Sequence, residues 1–412
     1  MKLKSLLIII IIIITCMFFL TGCYSAEGLE RLAYAVALGI DKGENNKIRL
    51  SLQFALLSNS SDSSSGGSSS QSQKSTVTTI DCSSIDSGIG LINSYISKKV
   101  NLSHCKAIVI SEELAYEGVS EYITTLANNM EVRPNCNVII SRCKASDYLE
   151  NSEPTLESLS ARYYEFALNS SEYSGYTAEV TLEDFYSDML NTTAQAHAIL
   201  GGVNTTSTNT NSDDVPLYDI EGSYKADEMP IKSETGLENI GIAVFNDDKL
   251  VGELTDIESL SHLLIVDKLE STTLSIPNPF DSTSVMSIFI TSTKKPKISV
   301  ELINGIPYIN CTIYIAGDIL SLDKNFDFSN KDNIKLVEEY TNSFLEQNIS
   351  SYLYKTSKDL KSDIANFGRY TIKNYATWND WIESDWLYNY QNSFFTVKVN
   401  SEIQNSQLFT KV

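Results

Sequence analysis

Histidine is nearly missing from this chain: three in 412 residues, His104, His197 and His262. They lie far apart in the sequence. None belongs to a His-x-x-x-His or Glu-bearing arrangement, so no metal-ligand spacing is present. No Gly-x-Ser-x-Gly elbow, phosphate-binding loop or dinucleotide fingerprint occurs. No Cys-x-x-Cys pair occurs either, which leaves zinc and thioredoxin-type chemistry unsupported. Positive charge is scarce, with 31 Lys and Arg against 52 Asp and Glu and a formal net charge of −21. Without a basic patch to neutralise phosphates, the composition argues against nucleic acid as a partner and against electrostatic adhesion to anionic lipid. The expectation is a chain with no cofactor, no metal and no catalytic residue.

What the chain does have starts at its first residues. Lys2 and Lys4 precede an almost wholly apolar run from Leu6 to Leu20, followed by Thr21-Gly22-Cys23. A charged start, an apolar core and a small residue before the cut make a secretory signal. Ending on cysteine makes it a lipobox. Cleavage is expected between Gly22 and Cys23, leaving Cys23 as an S-diacylglyceryl, N-palmitoyl cysteine at the new terminus. The alternative, an uncleaved helical anchor, needs about 20 apolar residues, more than this run supplies. Two or more acyl chains hold a protein to a membrane stably, so the body is expected to be lipid-anchored on the exported side.

Beyond Cys16 and Cys23 there are five cysteines: Cys82, Cys105, Cys136, Cys143 and Cys311. Cys105, Cys136 and Cys311 sit in apolar stretches and read as small core residues. A disulfide among Cys82, Cys136 and Cys143 is open, and the sequence does not select one.

Hydrophobic content of 42% fits a globular body, and the periodicity divides it. Strands are predicted at 32–40, 48–54 (alternating), 76–81, 106–111, 137–142 and 194–200, with helices over 84–100, 112–130 and 181–189. Leu114, Tyr122, Leu126 and Met130 are the inward candidates on the second helix. Ser58–Ser75, rich in Ser and Gly, cannot bury enough apolar surface to order itself. A polar linker over 201–238 separates an N-terminal mixed α/β domain (23–200) from a C-terminal α+β region (239–412). That region opens with a hairpin, 240–245 and 249–254. A helix at 257–268 follows, then strands at 272–276, 285–291, 297–302 and 309–316. A long helix spans about 333–376, and a last strand covers 394–399. The apolar stripe of that long helix runs Leu345, Ile349, Leu353, Thr356, Leu360, Ile364, Phe367. The fold class is α+β, in two to three domains, without regular βαβ winding. Trp378, Trp381 and Trp386 read first as packing residues, with partner contact as the sharper alternative because Trp is enriched at binding hot spots.

Several patches, in order along the chain, carry a resemblance. They are Gly39-Ile40-Asp41 with the strand ending near Gln53, and His104 to Gly118 with Glu131 and Arg133. Further on come Gly241 to Phe245 with Lys249 to Gly252, then Ser362 to Gly368 with Trp378 and Trp386. With the lipobox, these resemble the Ger(x)C lipoproteins, the C subunits of bacterial spore germinant receptors. The resemblance implies three mixed α/β domains and two integral membrane partners, the A and B subunits, in the inner membrane of the spore. It implies a non-enzymatic role in a complex that senses small nutrients. It leaves open which nutrient is sensed and whether this subunit touches it. A lipid-anchored solute-binding protein, with two lobes about a polar cleft, is the alternative. An anchored hydrolase would instead need a close pair of pKa-shifted carboxylates.

Overall fold

The computed structural model describes residues 10, 28–55, 75–152, 160–168, 171–204, 224–231, 236–321 and 330–405. Gly22, Cys23 and the rest of the lipobox lie outside the described residues, as do most of the Ser-rich tract and the middle of the 201–238 stretch. No helix among the described residues is long and apolar enough to cross a membrane.

The first sheet has nine strands: β1 (Leu32–Lys42), β2 (Ile48–Phe54), β3 (Thr76–Cys82), β4 (Lys99–Asn101), β5 (Ala107–Ser111), β6 (Asn137–Ser141), β7 (His197–Val203), β8 (Leu237–Asn246) and β9 (Lys249–Leu254). Their order is β3-β2-β1-β5-β6-β7-β8-β9, with β4 beside the start of β1. The four central strands β1, β5, β6 and β7 run parallel, and an antiparallel hairpin closes each side. The centre is thus wound in parallel, more than the period pattern indicated. Parallel strands are covered on both faces and read as unbroken apolar runs. β2 shows the same effect. Its alternation predicts one wet face, yet six of its seven residues are buried, because it is an inner strand packed on both sides.

The second sheet is β10 (Ser271–Asn278), β11 (Asp281–Ile303), β12 (Ile306–Ser321) and β13 (Phe394–Asn405). β10, β11 and β12 form an antiparallel meander, and β13 returns parallel to β12. The two strands expected at 285–291 and 297–302 are one, carried through Lys294–Lys297 by register shifts.

The structure redraws several predicted helices. The first covers Ile85–Tyr95, opened by a Ser84/Ser87 capping box, and Lys98 and Lys99 lie beyond its end. The second breaks in two, Glu112–Glu117 and Ser120–Ala127, at Gly118, whose φ of 128° suits glycine. Met130 follows the break and is fully exposed rather than inward. The long helix runs Lys331–Tyr354, adds one π turn over Lys355–Asp359, and stops. Ile364 and Phe367, expected on its stripe, are buried in the irregular segment that follows.

The ends of the 201–238 stretch are themselves strand, and β7 pairs directly with β8. The β8–β9 hairpin, expected to open the C-terminal region, is therefore bonded into the first sheet. One hydrophobic cluster runs from Leu38 and Ile110 in the first sheet, through Leu260 and Leu353, to Ile313 and Val399 in the second. A smaller cluster, with Val109, Ile139, Tyr148 and Tyr164, fills the other face of the first sheet.

Candidate functional site

The motif residues that the sequence singles out are brought together at joints. At the first, Asp41 ends its run of apolar strand residues buried. Its carboxylate accepts the amides of Ala145 (2.6 Å) and Ser146 (3.0 Å), capping the helix Ala145–Asn151 across a hundred residues of chain. Lys144, at the cap position of that helix, supplies no side-chain acceptor. Gly39 lets the same helix approach, since a Cβ there would stand 3.0 Å from Leu149 Cδ1 and 3.2 Å from Ala145 Cβ. One strand over, Gln53 is wholly buried. It donates to Ser152 Oγ (3.0 Å) and accepts the Tyr164 hydroxyl (2.7 Å).

The second joint is at Gly118. The Val119 amide donates to the carbonyl of Asp248 at 2.9 Å, and the Asp248 carboxylate sits against Gly118. The break in the helical region thus docks on the turn of the β8–β9 hairpin.

The third joint ties the hairpin and the approach to β7 to the segment after the long helix, which sets Phe367 against Phe395 of β13. The Ser362 hydroxyl donates to the Phe245 carbonyl (2.5 Å), Asn246 Nδ2 donates to the Lys361 carbonyl (3.0 Å), and the Gln195 amide donates to the Asp363 carbonyl (3.0 Å). Gly252 leaves room for Leu360, whose Cδ2 would lie 2.5 Å from an added Cβ. The Asp363 side chain is buried. It accepts the amides of Phe367 (3.1 Å) and Gly368 (2.9 Å) and the indole Nε1 of Trp386 (2.7 Å). Burial pushes its carboxyl up to about 6, against the pull of these donors.

Around that carboxylate stand Trp386, stacked on Trp381 with ring centroids 6.1 Å apart, and Tyr390 and Phe367. Trp381 and Trp386 are 1% and 4% exposed, so neither offers a face to a partner. Of the three tryptophans only Trp378 does so, at 54% exposed, with Ile382 one turn on at 45%.

Two histidines distant in sequence meet between the sheets. His197 on β7 and His262 on the helix Asp256–Val266 lie with ring centroids 4.9 Å apart, and His262 Nδ1 shares a hydrogen bond of 2.8 Å with the Tyr352 hydroxyl. His197 Nδ1 is buried without a hydrogen-bond partner among the described residues. Burial holds His197 down to about 4 and His262 well below its ordinary value, so both are neutral. Sequence spacing gave no sign of this pair, because it comes from two elements that tertiary packing alone joins.

Carboxylates gather around Arg142, which reaches Asp227 (2.5 Å), Glu228 (2.8 Å) and Glu253 (3.4 Å), while Lys225 also holds Glu253 at 3.0 Å. Burial, then Glu253, raises the Glu112 carboxyl beside them. Glu113 faces Lys42 instead, at 3.5 Å. The arrangement is an ion-pair cluster and differs from two carboxylates opposed across a bond. Near the start of the described body, a groove of about 680 Å³ is lined by Leu32, Tyr34, Phe54, Ile96 and His104. Tyr95 stands at its rim, 82% exposed.

Residues 25–203 match the family described as spore germination protein N-terminal domain, and residues 240–407 match spore germination B3/GerAC like, C-terminal. The chain is similar to YfkR of Bacillus subtilis (strain 168), at 21% identity over 376 residues, covering 89% of this chain and 88% of that protein. It is also similar to spore germination protein KC of the same organism, at 23% identity over 373 residues, covering 89% and 87%. The crystal structure of the GerBC protein is similar over 89% of this chain and 97% of that one, with a TM-score of 0.49 and 14% identity. With both regions matched in order over most of its length, the chain belongs to the GerAC, or Ger(x)C, family of spore germination proteins.

Proposed function

We propose that this protein is the lipid-anchored C subunit of a spore germinant receptor, acting without chemistry of its own beside integral membrane A and B subunits. The ordered match of both regions to the two spore germination families carries the proposal. The joints support it from a second direction. The motif residues Asp41, Gly118 and Asp363 are spent on fixing one element against another. A body built this way suits a subunit that presents a surface of fixed shape to a partner.

The lipobox adds an orientation. Cys23 and Gly28 are five residues apart, a reach of at most about 18 Å even when fully extended. Lipid on Cys23 would therefore hold the groove end of the body, with Tyr34, Tyr95 and His104, close to the membrane surface and to any embedded partner. Of the three tryptophans, Trp378 remains the proposed partner contact, with the exposed Ile382 one turn on as its neighbour.

The test is genetic and biochemical together. In a strain stripped of other receptors of this kind, loss of the protein should slow nutrient-triggered germination and leave sporulation intact. Cys23→Ala should end labelling by a palmitate analogue and release the protein from membranes. Unchanged germination would sink the receptor reading, and continued labelling would sink the lipobox reading.

A further inference from the structure

Among the five cysteines of the body, two are in contact. Cys136 Sγ lies 3.6 Å from Cys105 Sγ, and both residues are buried, at 0% and 2% exposed. Their positions are set by backbone on both sides. Cys105 closes a turn onto the Leu102 carbonyl at 2.9 Å, just before β5. Cys136 closes a turn onto the Arg133 carbonyl at 3.1 Å, just before β6. Between them the Asn137 amide donates to the Lys106 carbonyl at 2.9 Å, where the two parallel strands begin to pair. The turns that lead into these adjacent strands bring the two sulfurs into contact. A disulfide needs the sulfurs at about 2.05 Å, so bond formation requires a closure of about 1.5 Å.

The other three cysteines have different surroundings. Cys82 packs against Gly88, Cys143 Sγ shares a hydrogen bond with Ser141 Oγ, and Cys311 lies in the second sheet. The pairing left open in the sequence, among Cys82, Cys136 and Cys143, is thereby replaced by a different partner for Cys136.

We infer that Cys105 and Cys136 are a disulfide-forming pair, oxidised in the mature protein. The inference rests on the proposed export, because exported chains meet oxidising conditions that cytosolic ones do not. The chemistry is thiol–disulfide exchange with an oxidoreductase disulfide. One thiolate attacks that disulfide and forms a mixed disulfide, and the second cysteine then displaces the oxidoreductase as a dithiol. Two protons leave the cysteines and two electrons reduce the oxidant. The exchange belongs to folding, before β5 and β6 close over the sulfurs, because the finished body shields both. The bond would staple the chain between two neighbouring parallel strands.

The test uses full-length protein taken from its own membranes, quenched in acid, unfolded and alkylated with and without a reductant. Cys82, Cys143 and Cys311 should react without reductant, and Cys105 and Cys136 only after it. The unreduced digest should hold one linked peptide pair, lighter by two hydrogens than the separate thiol peptides. In Cys105→Ala, Cys136 should become alkylated without reductant. Full alkylation of Cys105 and Cys136 in unreduced wild-type protein overturns the pair. So does a Cys136 that stays blocked in Cys105→Ala. Palmitate labelling and protease sensitivity from the outer face, read on the same sample, report export separately. An exported but fully reduced protein would defeat the disulfide alone, whereas an unlabelled, protected and reduced protein would defeat both.

Discussion

The two sheets handle their edges and faces in opposite ways. In the first, four parallel strands are packed on both faces, and small residues such as Ala37 and Gly39 let a helix lie close. In the second, β12 alternates buried and open residues along its length, the mark of a sheet with one covered face. Its last strand, β13, is an edge, and the helix Lys331–Tyr354 covers it with side chains. Glu338, Asn342 and Glu346 accept the amides of Ile403, Ser401 and Val399 at 3.0, 3.0 and 2.9 Å. Four helical residues rise about 6 Å and two strand residues about 6.6 Å, so acceptors at i, i+4 and i+8 match alternate amides of an edge strand. The pairing blunts an edge that would otherwise template association. The first sheet relies on burial and the second on polar coverage, and the two are made into one body by the apolar cluster through Leu260 and Leu353 together with the joint at Asp363.

The largest expected effect comes from breaking that joint. Asp363→Ala leaves two buried amides and the Trp386 indole without an acceptor and should cost about 3–4 kcal/mol, measured by urea unfolding. Glycines at the joint then sharpen the contrast between rigid and yielding neighbours. At Gly368 an added Cβ meets the Thr193 carbonyl oxygen at 2.6 Å, whereas at Gly252 it meets only the tip of Leu360. Gly368→Ala should cost about 2–3 kcal/mol and Gly252→Ala well under half of that, because a carbonyl cannot swing away as a methyl can.

Acidity acts with opposite sign on two buried groups, Asp363 and His197. Asp363, raised to about 6 from an ordinary 3.8, favours the folded state most below pH 3.8, and that contribution is lost as pH rises through 6. His197, lowered to about 4 from 6.5, contributes stability that is full above pH 6.5 and lost as pH falls through 4. His197→Phe should flatten the acid side of a melting-temperature profile, recovering up to about 3 kcal/mol near pH 4. An unchanged profile would mean that the histidine pair is not held neutral by burial. The smallest effect on folding belongs to Trp378→Ala, within about 0.5 kcal/mol, because the ring is exposed. Its expected effect is weaker co-purification with the embedded partners, and equal recovery would remove Trp378 as a contact.

Much of this was legible in the residues. Apolar runs located β1, β5, β6 and the β8–β9 hairpin, and Gly39-Ile40-Asp41 and Ser362 to Gly368 stood out as motifs. Their tasks were not legible, because Asp41 caps a helix a hundred residues away and Asp363 gathers donors that include Trp386, 23 positions on. Local period also misled where the chain leaves a helix without changing its apolar spacing. Leu360, Ile364 and Phe367 continue the stripe of the long helix, yet Lys361 and Asn366 adopt positive φ, at 54° and 58°, and the helix ends. The 201–238 stretch reads as a boundary because it is polar, and the two family matches part there, at 203 and 240, while the pairing of β7 with β8 crosses it. The histidine pair and the Cys105–Cys136 contact arise from packing between elements, which single-sequence spacing does not encode.

The central claim, that these joints make the two sheets one body, is tested most directly by following unfolding in each sheet at once. Tryptophan fluorescence reports the Trp381–Trp386 cluster beside the second sheet, and hydrogen exchange at β5 and β6 reports the first. The two should lose structure at the same urea concentration in the wild type, and in Asp363→Ala the fluorescence transition should move to lower urea ahead of the exchange transition. Separate transitions in the wild type, or an unshifted common transition in Asp363→Ala, would contradict the account.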